Sequence, residues 1–217
     1  MDKNKSRGFS VDRTVMDELM ETPPSVPVKK RIAEEIFEWL DVLVTAMIAV
    51  VIIFSLVFRV ATIDGRSMQN TLFNKEKVII SNLGYTPKQF DIIVISRNIE
   101  NAVDSESKSS LPIIKRTIAV AGQTVDIDFD EGIVYVDGKA LKEDYIKAPT
   151  YKPAYQTIDF PVYVPEGYVF VMGDNRNDSL DSRSPTIGKN GLIDTRYILG
   201  HAVVRIYPFD KIGGLGK

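Results

Sequence analysis

The sequence predicts a mostly-β fold in which a single N-terminal transmembrane helix leads into a β-rich domain with a smaller β region inserted in it. Three observations predict it. Residues 42–58, VLVTAMIAVVIIFSLVF, run for 17 positions without a charge. From residue 63 onward the apolar residues fall in short runs rich in Val, Ile and Tyr, punctuated by Gly, Pro and Asn. Asp137-Gly138 directly follows one such run and is the pair that a two-residue hairpin turn prefers.

Residues 1–38 read as a flexible tail and the start of the helix. The first 28 carry charges of both signs and end near Pro23, Pro24 and Pro27, with one short helix expected at 11–20. Helix is expected over 32–58 and the anchor over 39–61. At 1.5 Å per residue the uncharged stretch spans roughly 26 Å, a little less than a bilayer core of about 30 Å. Trp39 and Leu40 extend it at one end and residues 60–63 at the other, while Arg59 can snorkel to the interface. More than 40 residues precede the stretch, whereas a cleaved secretory leader has only a short charged region there. The reading is therefore a retained anchor. Charge does not orient it: Lys29, Lys30 and Arg31 stand before the helix, but Arg59, Arg66, Lys75 and Lys77 stand after it.

Residues 62–217 make the β domain. Strands are expected at 78–81, 91–96, 113–121, Thr124–Asp128, Ile133–Val136, Tyr168–Met172 and 202–207, with the inserted β region at about 123–165. Residues 98–110 are polar and read as an exposed loop.

Composition narrows the chemistry. The 217 residues allow one substantial domain beside an anchor, and 44% apolar with 26% charged residues is an ordinary globular balance. A net charge of −2 offers no polyanion-binding surface, so nucleic acid is not an expected partner. The absence of cysteine excludes disulfides, thiolate metal sites and a Cys nucleophile. The single histidine, His201, argues against a multi-His metal site. No metal and no cofactor are expected.

Three segments can carry chemistry. In residues 64–71, DGRSMQNT, Ser67 stands between Arg66 and Met68 on a turn close to the end of the anchor. Alone it reads as a turn or helix-cap serine. In residues 115–122, KRTIAVAG, Lys115 and Arg116 interrupt an apolar strand. Alternation sends the two side chains to opposite faces. A lysine held among apolar neighbours loses its proton more easily, although an edge strand with both cations in water would look the same. Residues 173–183, GDNRNDSLDSR, follow an apolar strand and have the Asp, Asn and Ser density of a loop that bonds its own backbone. A calcium loop of the helix-loop-helix kind would need a final glutamate that is missing.

Together, a membrane helix, then Ser67-Met68, then Lys115-Arg116 with Gly122, then Gly-Asp-Asn-x-x-x-Ser-x-Asp-Ser-Arg resemble the type I signal peptidases of the prokaryotic kind, over roughly residues 40–207. The resemblance implies a Ser–Lys serine endopeptidase that removes signal peptides. Ser67 matches the nucleophile and Lys115 the general base. Ser179 matches a serine that hydrogen-bonds the lysine amine. Asp181 and Arg183 match a structural ion pair, Asp174 with Arg116 makes a second, and Met68 matches a residue that packs beside the nucleophile. The implied partners are secretory preproteins with small residues before the cut, the lipid bilayer and the protein export machinery. The implied topology is single-pass in the cell membrane, with the N-terminus cytoplasmic and the catalytic domain outside.

Two positions depart from the pattern. In Ser-Met-x-Pro-Thr the proline is replaced by Asn70, which removes a φ constraint. Many members place a serine two residues before the nucleophile to help hold the oxyanion, and here that position is Gly65. The oxyanion would then depend on backbone N–H groups such as that of Ser67. Three other readings stay open at this level: an inactive tethered β-domain that binds a partner, a self-cleaving Ser–Lys protease, and a triad built on His201. Leu72, Phe73, Tyr207 and Phe209 read either as ordinary core residues or as an apolar patch facing the lipid headgroups.

Overall fold

The computed structural model describes residues 28–96 and 112–215. The helix expected at 11–20 and the loop at 98–110 lie outside the described residues. The chain divides into two compact units, Met1–Ile52 and Ile53–Lys217.

Helix α1 spans Val28–Val57. Its stretch Glu34–Ser55 has 22 residues with a mean hydropathy of 2.3, and its most apolar window has none of its residues buried in the protein. That is long and apolar enough to cross a bilayer, since 22 residues rise roughly 33 Å. The helix ends where the chain turns to strand: β1 is Phe58–Thr62, and it begins inside the anchor expected over 39–61. Pairing decides it, because Phe58 to Thr62 lie antiparallel to Ser81 to Lys77 of β2 (Lys77–Ser81).

The larger sheet continues with β3 (Ile92–Ile95) and β4 (Ile113–Val120). A smaller sheet follows from β5 (Thr124–Asp128), β6 (Ile133–Val136), β7 (Lys139–Ala140) and β8 (Val162–Tyr163). The chain then returns to the larger sheet with β9 (Tyr168–Met172), β10 (Ile193–Asp194), β11 (Ile198–Tyr207) and β12 (Gly213–Gly214). The larger sheet has the order β1-β2-β11-β3-β4-β9-β10, with β12 on β11, and the smaller has the order β7-β6-β5-β8. The Asp137-Gly138 turn joins β6 to β7 with φ of 50° and 73°, the double positive φ of a type I′ hairpin turn.

Strand β11 starts four residues before the expected 202. Gly200 lies inside it. In the structure it lies where β11 passes from pairing with β3 to pairing with β2, and a Cβ there would press on the Ser81 carbonyl. The glycine therefore permits a close backbone approach rather than ending the strand.

Strand alternation sorts the core. Ile92, Val94 and Ile114 pack with Ile63, Met68, Leu72, Val78 and Ile80, while Ile93 and Ile95 pack with Val169, Val171 and Ile193. A third cluster joins Ile118, Phe170 and Met172 of the larger sheet to Val125, Val134 and Val136 of the smaller one. Strand β4 lies between β3 and β9, an interior position, so neither Lys115 nor Arg116 is on an edge. Leu72 is fully buried, unlike Phe73, Tyr207 and Phe209, which are exposed. It belongs to the core beneath the turn after β1 and not to the surface patch.

Candidate active site

The turn that carries Ser67 is pinned from below. After Ile63 the ladder with the β2 side closes through Ile63 N–H to the Glu76 carbonyl at 2.8 Å and Lys75 N–H to the Ile63 carbonyl at 2.9 Å. Residues 66–72 then coil, with the Thr71 and Leu72 amides donating to the Met68 carbonyl at 2.9 and 2.8 Å. Met68 and Leu72 are the apolar feet of this turn, both sunk in the core. Gly65 stands at φ +102°, a region that an L residue rarely adopts, with open space where a side chain would point.

Lys115 comes to this turn from the middle of β4. Its Nζ donates to Ser67 Oγ at 2.8 Å and to the Ile114 carbonyl at 3.2 Å, and the residue is only 5% exposed. A cleft of about 540 Å³ is lined by Ile63, Asp64, Ile80, Val94 and Ile114, the last of these next to Lys115 in the chain; neither Ser67 nor Lys115 lines it.

Arg116 is buried with Asp174. Its Nε donates to Oδ1 at 2.8 Å and its Nη2 to Oδ2 at 2.6 Å, a two-point fork. Nη1 donates to the Phe90 carbonyl at 2.9 Å, the Thr71 hydroxyl donates to Asp174, and the guanidinium carbon lies 4.0 Å over the Tyr145 ring. This group ties β4 and the loop after β9 to the turn that holds Ser67.

Asp181 and Arg183 form a second buried fork, at 2.8 and 2.9 Å. Asp181 Oδ2 also accepts the Gly173 amide at 3.0 Å, and Arg183 donates to the Arg176 carbonyl at 2.7 Å. Burial pushes the Asp181 carboxyl up, but the Arg183 guanidinium, the Gly173 amide and the nearby Lys115 outweigh it and hold the carboxyl below the usual carboxylate range. Ser179 Oγ is buried without a hydrogen-bond partner among the described residues. It lies against Gly173, where a Cβ would strike both Ser179 Oγ and the Ser67 carbonyl oxygen.

Several participants were given no role by the sequence. Asn175 bonds the carbonyls of Arg66 and Ser67. Arg176 is buried against Glu143, Thr150 and the Gly173 carbonyl, with Glu143 supplied by the inserted region. His201 is engaged elsewhere: Nδ1 lies 3.0 Å from the Ser81 carbonyl and the ring stacks on Tyr85 with centroids 4.3 Å apart.

Comparison with known proteins agrees over most of the chain. The family described as signal peptidase, peptidase S26, matches residues 36–207. The probable signal peptidase I-1 of Synechocystis sp. is 37% identical over 177 residues, covering 79% of this chain and 84% of that one. Signal peptidase I P of Bacillus subtilis subsp. natto is 32% identical over 193 residues, covering 85% and 96%. A crystal structure of a signal peptidase I from Enterococcus faecalis V583 aligns with a TM-score of 0.38 at 27% identity, covering 54% of this chain and 97% of that one. The class is that of the serine peptidases. Within it, the chain belongs to the signal peptidase family, peptidase S26.

Proposed function

We propose that this chain is a membrane-anchored endopeptidase that cuts N-terminal signal peptides from exported preproteins, with Ser67 as nucleophile and Lys115 as general base. The observation that carries the reading is the 2.8 Å approach of a buried lysine amine to a serine hydroxyl. A serine hydroxyl attacks only when a base takes its proton, and lysine serves as that base only when neutral. Water is largely excluded around Lys115, and burial disfavours an ammonium.

The chemistry then balances within the chain. Ser67 Oγ bonds to the scissile carbonyl carbon while its proton passes to Lys115 Nζ. The carbonyl oxygen becomes an oxyanion facing the Ser67 main-chain N–H. Collapse breaks the C–N bond, and Lys115 gives its proton to the leaving amine. Water attacks the acyl-enzyme with Lys115 accepting again, and the Ser67 hydroxyl is restored. Ser179 Oγ, beside Gly173, has no hydrogen-bond partner among the described residues, so the bond to the lysine amine that the resemblance implies is not formed in this structure. The apolar cleft at Ile63, Ile80, Val94 and Ile114 is assigned to the small side chains that precede the cut.

Anchoring is assigned to α1, whose most apolar window is buried by none of the described residues. With the catalytic domain outside and the N-terminus cytoplasmic, enzyme and preprotein share one membrane surface as substrates leave the export machinery, which raises their effective concentration. Phe73, Tyr207 and Phe209, the last 78% exposed, are assigned to the headgroup region.

The test is cleavage of a preprotein with an Ala-x-Ala site by the detergent-solubilised chain, beside Ser67→Ala and Lys115→Ala. Cutting after that site by wild type and by neither folded variant is the expected result. A wild type that binds preproteins without cutting any would replace the enzyme with a tethered binding module.

A further inference from the structure

We infer that Asn175 is a positioning residue that aims the main-chain N–H of Ser67 at the oxyanion. This rests on the reading of Ser67 as nucleophile. Asn175 is held in place by its neighbours: Asp174 is locked by the Arg116 fork and by Thr71, and Asn175 itself is only 7% exposed. From there it holds two consecutive carbonyls of the nucleophile turn. Its main-chain N–H donates to the Ser67 carbonyl at 2.9 Å, and its side-chain Nδ2 donates to the Arg66 carbonyl at 3.2 Å.

The second bond matters for catalysis through the geometry of one peptide unit. The Arg66 carbonyl and the Ser67 N–H belong to the same planar trans peptide and point in opposite directions. Fixing the oxygen therefore fixes the direction of the N–H. The Arg66 oxygen accepts from both Gln69 N–H, at 3.1 Å, and Asn175. Among the described residues no acceptor takes the Ser67 N–H, which leaves it to a bound substrate. Hydrogen bonding at the carbonyl also polarises the unit and makes its N–H a better donor. Glycine at position 65 offers no hydroxyl to share the load, so the aim of this one amide counts for more here. Asp178 adds an outer hold on Arg66 through a 3.2 Å ion pair, but both side chains are exposed and the pair is weak.

The test compares wild type with Asn175→Ala and Asn175→Asp in detergent. The aspartate variant keeps the shape, and its carboxylate has no hydrogen to donate at alkaline pH. Three quantities are read: kcat and KM on a preprotein, inhibition by a peptide aldehyde ending in Ala-x-Ala, and inhibition by the matching peptide alcohol. The aldehyde accepts Ser67 Oγ and forms a tetrahedral adduct with an oxyanion, whereas the alcohol binds without one. The expected result is a kcat lowered roughly tenfold at unchanged KM, the aldehyde weakened by the same factor and the alcohol unaffected. Unchanged kcat overturns the inference. So does equal weakening of aldehyde and alcohol with a lowered melting temperature, the mark of a purely structural role. Cleavage surviving in Ser67→Ala is a separate result: it overturns the nucleophile assignment itself, whatever the Asn175 variants do.

Discussion

Lys115 Nζ reaches Ser67 Oγ at 2.8 Å across 48 residues of sequence, from an interior strand to a surface turn. On the proposed mechanism this pair sets the pH dependence: Lys115 acts as base when neutral, and protonation switches it off. Activity is expected to rise with pH and to fall on the acid side as the ammonium forms. Measuring kcat/KM against pH checks this, and a flat profile between about pH 5 and pH 9 would sink the lysine as base.

Gly173 is the second point of sensitivity. A methyl group at its Cα would strike the Ser67 carbonyl oxygen and Ser179 Oγ, and the first of these is backbone that cannot rotate away. Gly173→Ala is expected to shift the nucleophile turn and lower kcat on the order of 10²-fold, the penalty of a misplaced reacting group. Gly213→Ala is the matching control, since a Cβ there meets nothing within 4 Å. Steady-state kinetics on both variants decides it: equal activity in the two would mean that the turn absorbs the methyl.

How much of this was legible in the sequence depended on whether a feature was local. The apolar helix, the Asp137-Gly138 hairpin and the Val- and Ile-rich strands are local, and they stood in the pattern. The start of β1 was not, because Phe58 to Thr62 run on from the helix without a Gly or Pro break and only their partners in β2 make them strand. Leu72 was ambiguous for a related reason. It sits next to exposed Phe73, but the turn rotates it inward onto Val78 and Ile92. Ser67 and Lys115 were each ordinary alone and became informative through their order along the chain. Asn175 lay inside a quoted segment without a role, since its partners are the carbonyls of residues 66 and 67 and no pattern of side chains records a backbone acceptor. Glu143 had no signal at all before the fold set it against Arg176.

The Arg116–Asp174 fork is buried on both sides, at 4% and 0% side-chain exposure. Asp174→Asn leaves a guanidinium without its counter-charge beneath the active site. Breaking a buried pair from one side costs about 3–5 kcal/mol, more than removing both charges together. Asp174→Asn is therefore expected to lose more stability than the double variant Arg116→Met with Asp174→Leu. Denaturant unfolding of Arg116→Met, Asp174→Leu and the double variant supplies the coupling. Additive losses would show that the fork contributes nothing as a pair.

Asp181 sets the acid limit of the fold. Its carboxyl is held below the usual range in the folded state, chiefly by Arg183 against the opposing effect of burial. The unfolded chain therefore takes up the proton first as pH falls. The stabilisation from this group is fully present above the ordinary aspartate value of about 3.9 and is lost as pH drops toward the lowered folded value. Melting temperature is expected to fall steeply below about pH 4 in wild type. Asp181→Asn should start lower, because Arg183 is left unpaired in the core, but it should lose less of its remaining stability across the same acid range. Thermal melts of both proteins from neutral to acid pH check this. Parallel curves would mean that other carboxylates, and not Asp181, carry the acid sensitivity.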